Sequence, residues 1–231
     1  MIRPLRSYRP AAAGFAVLLA ACSSPTPNLY TIAPVSGAPV SGAPVSGAPA
    51  ANTSVSGASA SNAAGPKVVL LRQVGIARYL ERPQIVRSSE NYRLEVMEND
   101  WWGEPLGEML GRVLADELRQ RLSRSVVVSE AGTVSANPDA TVEVDVQRLD
   151  EDASGTLVLQ AQASVTGRKR AEPSLRSFRI AVPPPKPGVA GQVAATSTAV
   201  GQLADGLASM LGAGHGSGPA AAPVTGIAGR P

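Results

Sequence analysis

The most regular pattern of hydrophobic and polar positions lies between residues 105 and 122. Apolar residues recur there at helical spacing, at Leu106, Met109, Leu110, Val113, Leu114, Leu118 and Leu122. This pattern predicts an amphipathic helix with Pro105 in its first turn. The acid–base pairs Glu108–Arg112 and Glu117–Arg121 are expected on its solvent side. A second helix, predicted from about Val189 to Leu211, has the apolar face Val193, Val200, Leu203, Leu207 and Leu211.

Alternating positions predict the strands. Val142, Val144 and Val146 alternate with polar residues, and the positions from Leu157 to Val165 do the same beyond Ser154-Gly155, which predicts an antiparallel hairpin. Shorter strands are predicted near residues 67–74, 84–87, 92–97, 125–129 and 175–182, with Tyr92, Leu94 and Val96 on a half-buried side. The sequence therefore predicts an α+β fold, a mainly antiparallel sheet with two amphipathic helices packed on one face and the other face open.

The chain begins with a secretory leader. Arg3, Arg6 and Arg9 precede an apolar run over residues 11–21, which is too short to span a bilayer. The run ends in Leu-Ala-Ala-Cys, which resembles the lipobox of bacterial lipoproteins, so residues 1–21 are predicted to be a signal peptide and Cys22 the lipidated residue. The alternative is an ordinary secretory cleavage that leaves a free thiol. By resemblance to enterobacterial sorting, Ser23 favours the periplasmic face of the outer membrane.

Composition divides the rest of the chain. Residues 22–33 form the lipidated N-terminus, and residues 34–66 contain Val-Ser-Gly-Ala-Pro three times in succession, a composition typical of a disordered linker. Residues 67–211 are predicted to form one globular domain, and residues 212–231 a disordered tail. A flexible linker of this length has a root-mean-square span of about 30 Å, so we expect it to let the domain sit away from the membrane.

Charge and residue counts limit the chemistry. The chain has 21 basic and 18 acidic residues. Three of the basic residues belong to the leader, so the mature chain has no basic excess for binding nucleic acid. One cysteine and one histidine leave no set of ligands for a thiolate metal site and no catalytic triad, so we expect no metal, no cofactor and no enzyme activity. The acidic residues Glu95, Glu98, Asp100 and Glu104 keep a hydrolase as the enzyme alternative.

Two short segments are candidates for contact with a partner. One is the polar, aromatic segment with Tyr79, Arg82 and Pro83, and the other is Trp101-Trp102 in a chain with 3% aromatic residues. Tryptophan, tyrosine and arginine are the usual anchors of protein interfaces. For the two tryptophans, core packing is an equally good interpretation.

These segments also carry a family resemblance. Residues 79–86 (YLERPQIV), 93–95 (RLE), 102–106 (WGEPL) and 113–118 (VLADEL), together with 29–32 (LYTI), are similar to the PqiC-like auxiliary lipoproteins of ABC-type transport. The resemblance implies a noncatalytic outer-membrane adaptor that works with a periplasm-spanning MCE-domain protein and an inner-membrane transport component to move lipid between membranes. The alternative is a lipoprotein that binds lipid or lipopolysaccharide itself, or assists barrel assembly, which predicts an apolar cavity between sheet and helices.

Overall fold

The structure is a computed structural model that describes residues 26–35, 65–132, 137–168 and 172–213. The leader with Cys22, most of the predicted linker and the predicted tail beyond residue 213 lie outside the described residues. Within those ranges, neither helix is long and apolar enough to cross a membrane.

The described chain forms one mixed sheet and two helices. The strands are β1 (Asn28–Tyr30), β2 (Val68–Leu71), β3 (Gly75–Ile76), β4 (Gln84–Ser88), β5 (Glu95–Trp102), β6 (Val126–Ser129), β7 (Ala140–Glu151), β8 (Leu157–Gly167) and β9 (Ser174–Val182). The helices are α1 (Leu106–Arg121) and α2 (Val189–Ala213), and Arg78–Leu80 forms a short 3-10 helix. The predicted α+β class is confirmed.

The longest strand, β7, organises the sheet. One of its edges pairs antiparallel with β8, as the alternating residues predicted, and the turn between them has Gly155 in the left-handed region. The other edge pairs successively with β2, β3 and β4, which lie end to end along it. Ile76 pairs with Val146, and Ser88 pairs with Glu151. Between these two pairs the chain advances by twelve residues from β3 to β4 but by only five residues along β7. Seven residues, 77–83, are therefore looped out of the sheet.

The prediction of a mainly antiparallel sheet is wrong. Five of the eight strand pairings in the described residues are parallel, although the two longest ladders, β7–β8 and β8–β9, are antiparallel. Alternation of side chains shows which face of a strand is buried, but not the direction of its neighbour. β2 pairs with strands more than fifty residues away, β6 and β7, through connections that return the chain to the same end of the sheet.

Both helices cover one face of the sheet, as predicted. Every residue of the predicted α2 face is buried, and on α1 all predicted positions except the half-buried Leu122 are buried. Gly206 allows α2 to approach β9 closely, because a Cβ there would lie 2.3 Å from Cε1 of Phe178. On the opposite face of β7, Glu143, Asp145 and Gln147 are exposed.

One pair predicted for the solvent side of α1 lies elsewhere. Glu117 and Arg121 do form an ion pair, but Glu117 is fully buried. The backbone N–H of Val35 donates to Oε1 of Glu117 at 2.6 Å, so the N-terminal segment covers this part of the helix. The other predicted pair is replaced, because Arg112 binds Glu104 instead of Glu108.

The segment 26–35, here called the N-terminal segment, belongs to the folded unit. β1 pairs in parallel with β5, and the chain then crosses both helices. The backbone N–H of Ile32 donates to Sδ of Met109, Ala33 donates to Oγ of Ser197, and the Ile32 side chain is 1% exposed. Residues on both sides of the predicted linker therefore pack in one domain. Residues 26–35, which precede most of the predicted linker, are thus part of the folded unit.

Candidate functional site

The last residues of the looped-out segment 77–83, Glu81, Arg82 and Pro83, form one wall of a cleft. The 3-10 helix is closed by hydrogen bonds from the backbone N–H groups of Leu80 and Glu81 to the carbonyls of Ala77 and Arg78. The carbonyl of Pro83 accepts the N–H of Trp102 at 2.7 Å, which joins the loop to the end of β5. The other walls are residues 73–76 and the start of α1, and they enclose about 700 Å³.

The cleft has an apolar floor and a charged rim. Val74, Trp102 and Leu106 form the floor and are buried, with Trp102 7% exposed. The rim carries one guanidinium, from Arg82, and three carboxylates, from Glu81, Glu104 and Glu108. Within the described part of the chain Arg112 neutralises Glu104, whereas no cation lies within ion-pair distance of Glu81 or Glu108. The cleft therefore fits a segment that offers an apolar side chain and a cation.

A buried carboxylate holds the loop in place. Asp150 of β7 is 0% exposed and accepts hydrogen bonds from Oη of Tyr79 at 2.7 Å, Oγ of Ser89 at 2.7 Å and Nε of Arg148 at 2.8 Å. Arg148 also binds Glu90 at 2.6 Å. Burial, and then the hydrogen bond to Asp150, raise the pKa of Tyr79 well above its ordinary value. Tyr79 therefore stays a neutral donor, and its position is fixed from inside the domain.

The structure separates the five residues predicted to contact a partner. Arg82, Pro83 and Trp102 line the cleft, with Arg82 and Pro83 on its rim and Trp102 in its floor. Tyr79 points inward to Asp150, and the Nε of Arg82 donates to its carbonyl at 3.0 Å. Trp101 lies on the opposite face of β5 from Trp102, where its indole N–H donates to the carbonyl of Glu98 at 2.9 Å.

Sequence reasoning missed Gln73, Glu81 and Glu108 as rim residues. Gln73 follows β2 and Glu108 lies in the first turn of α1, and the two come together only because β3 lies beside the start of α1, where Gly107 approaches Ile76. A sequence signal existed for one of them. Glu108 is spaced for a pair with Arg112, but Arg112 binds Glu104, which leaves the Glu108 carboxylate at the cleft.

The candidate catalytic carboxylates do not share a cleft. Glu95 and Asp100 lie at different ends of β5, Asp100 accepts a hydrogen bond from Nδ2 of Asn28 at 3.1 Å, and only Glu104 lines the large cleft. In the described ranges no three His, Cys, Asp or Glu side chains are grouped as metal ligands. The volume between sheet and helices is filled by buried side chains such as Leu114, Leu159 and Leu203. Cys22 lies outside the described residues.

Comparisons with solved structures support the fold. An uncharacterized protein of known crystal structure matches with a TM-score of 0.61 at 16% identity, over 80% of this chain and 99% of that one. Protein XCC0632 from Xanthomonas campestris matches with a TM-score of 0.55 at 21% identity, over 66% of this chain and 90% of that one. No curated protein matches the chain.

The family is shown by the sequence itself. A family model described as the ABC-type transport auxiliary lipoprotein component matches residues 50–208. The matched range contains all the residues that line the cleft, from Gln73 to Glu108. The predicted resemblance is confirmed, and the chain belongs to the family of ABC-type transport auxiliary lipoprotein components.

Proposed function

We propose that this protein is a noncatalytic adaptor lipoprotein of an ABC-type system that moves lipid between membranes. Acylation of Cys22 holds it at the periplasmic face of the outer membrane, and the cleft docks a periplasm-spanning MCE-domain protein that reaches from the inner-membrane transport component. Family membership supports the transport role. The sequence resemblance supports the MCE-domain partner and the outer-membrane location.

The observation that carries the proposal is the meeting of separate sequence blocks at one cleft. The segments YLERPQIV and WGEPL lie about twenty residues apart in the chain, and they provide opposite walls of the same depression. Its apolar floor and partly unneutralised acidic rim have the composition of a docking pocket, with a desolvated centre and a polar border. A partner loop with a Leu or Phe beside a Lys or Arg would fill the apolar floor and pair with the acidic rim.

Membrane anchoring permits this surface to be small. Two proteins confined to one envelope compartment and tethered there meet at effective concentrations near the mM range, so a weak docking contact is sufficient. A partner that carries one or two cations here would gain in association rate as well as in specificity.

Charge reversal at the rim tests the docking. Glu81→Lys with Glu108→Lys replaces two exposed carboxylates and leaves the buried floor untouched. We expect capture of the MCE-domain protein by crosslinking in intact cells to fall at least tenfold, because two like-charge contacts replace two attractive ones. Thermal unfolding should be unchanged.

Glu172→Lys is the matched control, since Glu172 is an exposed acid next to β9 and outside the cleft. It should retain full crosslinking. Retained capture by the double variant would remove the cleft as the docking site. Alanine at Tyr79 or Trp102 is unsuitable for this test, because both side chains pack against the core and their loss perturbs folding.

A further inference from the structure

The turn between β4 and β5, residues 89–94, exposes two large side chains. The alternation of residues 92–97 predicted Tyr92 and Leu94 on a half-buried side, but Tyr92 is fully exposed and Leu94 is 41% exposed. Asn91 and Tyr92 have φ values of 55° and 60°, a left-handed conformation that is unfavourable for a tyrosine. The fold therefore holds an aromatic and an aliphatic side chain out from a strained turn.

This turn lies at the end of the sheet from which the chain enters β1. β1 runs parallel to β5, with Asn28 opposite Asp100, so the residues before Asn28 come from the direction of Glu95 and the turn. Leu94 precedes Asp100 by six positions, and Cys22 precedes Asn28 by six positions. Six residues span at most about 22 Å. A lipid on Cys22 thus holds the bilayer surface within reach of the turn.

Two other connections share this end of the sheet. Ser88 pairs with Glu151, Glu151 with Leu157, and Leu157 with Val182, so the β7–β8 turn and the β9–α2 connection lie beside the β4–β5 turn. We call the three connections together the entry end. They bring the ends of five strands, β4, β5, β7, β8 and β9, to one surface.

The charges of the entry end are largely balanced. Arg87 binds Glu151 at 3.5 Å and Arg148 binds Glu90 at 2.6 Å. The remaining cations described there, Arg93 and Lys186, are exposed, and so is the acid Glu95. Attraction to anionic headgroups needs a cluster of several unpaired cations, so binding of this surface to a bilayer would have to come mainly from apolar and aromatic contact.

We propose that the entry end rests on the bilayer to which Cys22 is anchored, with Tyr92 and Leu94 inserted into the headgroup region. The inference rests on acylation of Cys22, which is part of the proposed function. Tyrosine suits this position because its ring is apolar and its hydroxyl remains hydrated among the headgroups. The insertion fixes the orientation of the domain, so that the cleft at the opposite end of β4 and β5 is turned away from the membrane.

A single fluorophore tests the orientation. Acylated Cys22 has no free thiol and is the only natural cysteine, so Tyr92→Cys in the full acylated chain accepts one nitrobenzoxadiazole label. Leu175→Cys is the matched control, since Leu175 is 75% exposed at the start of β9, away from the entry end. In phosphatidylcholine vesicles with nitroxide-labelled lipid, we expect several-fold stronger quenching at position 92 than at position 175, and no loss of quenching at high salt.

Flotation of the vesicles tests the lipid anchor separately from the orientation of the domain. Chains that float, and fail to float when Cys22 is replaced by alanine, establish the anchor. A floating chain with equal quenching at positions 92 and 175 overturns the orientation and leaves the adaptor function standing. A full chain that does not float overturns the anchor and this inference with it.

Discussion

The end of the N-terminal segment, residues 31–35, and the cleft loop, residues 77–83, both lie outside the strands, and a buried carboxylate holds each of them to the domain. Glu117 holds the first segment through the backbone N–H of Val35, whereas Asp150 holds the second through the hydroxyl of Tyr79. Any residue except proline provides the first donor, but only a tyrosine of this reach provides the second. The contact at the cleft therefore requires a particular residue type, which the sequence shows, whereas the contact at the N-terminal segment requires none.

The two carboxylates also differ in what remains when they are lost. Around Asp150, Tyr79 and Ser89 have no second acceptor among the hydrogen bonds of their described side chains. Around Glu117, Arg121 still binds Oδ1 of Asp205 at 2.6 Å and the carbonyl of Gly201 at 3.0 Å. Loss of Asp150 should therefore damage the domain more than loss of Glu117.

The largest effect is expected for Asp150→Ala. It leaves two hydroxyls without the acceptor that Asp150 provides from a fully buried position, and it leaves Arg148 with one carboxylate fewer, so we expect a loss of about 3–5 kcal/mol in the free energy of unfolding. Urea denaturation followed by circular dichroism measures it. Asp145→Ala on the exposed face of the same strand should change stability by less than about 0.5 kcal/mol. Similar losses in both variants would show that the buried cluster contributes nothing special.

Glu117→Ala should have the next largest effect. The amide of Val35 loses its acceptor and Arg121 keeps Asp205, so we expect a loss of about 2–3 kcal/mol. Amide hydrogen exchange of residues 32–35 should accelerate, while exchange in residues 77–83 stays unchanged. Glu117→Gln keeps an acceptor oxygen for Val35 and should retain most of the protection. If residues 32–35 exchange at the wild-type rate in the alanine variant, Glu117 does not hold the N-terminal segment.

The contrast between the two segments explains how much of this molecule the sequence predicts. The α1 face and the β7–β8 hairpin follow from local periodicity, because each side of an element faces one environment along its whole length. The cleft residue Trp102 was found because tryptophan is rare in this chain, and Arg82 because arginine in a polar, aromatic segment is a usual interface anchor. Burial of Glu117 was not predictable, since the residues that cover it lie more than eighty positions away.

The β4–β5 region shows a second limit. Tyr92, Leu94 and Val96 have the spacing of a half-buried strand, yet β5 begins only at Glu95, because the chain must reverse after β4. Asn91 is a common turn residue, but a tyrosine in the left-handed region is rare, so the sequence did not mark Tyr92 as part of the turn. The parallel pairings were not predicted for a related reason. The alternation of buried and exposed side chains is the same whether the neighbouring strand is parallel or antiparallel.

Tyr79→Phe is expected to have the smallest effect, because it removes only the hydroxyl that donates to Asp150. Near neutral pH the loss should be about 1–2 kcal/mol, because Asp150 keeps Arg148 and Ser89. Burial and the hydrogen bond to Asp150 raise the pKa of Tyr79 above its ordinary value of 10.0. The wild-type contribution is therefore complete below pH 10. Above pH 10 the unfolded chain releases a proton that the folded chain keeps, so the free energy of unfolding falls.

That fall should have a slope of at most about 1.4 kcal/mol per pH unit, and a smaller one in practice because the ring is partly exposed. Urea denaturation between pH 8 and pH 11 should show the phenylalanine variant losing less stability than wild type over this range. Tyr92→Phe, whose hydroxyl is fully exposed, should follow wild type throughout. Parallel curves for wild type and Tyr79→Phe would mean that the Tyr79 hydroxyl is not held by Asp150. The cleft loop would then be fixed by backbone contacts, like the N-terminal segment.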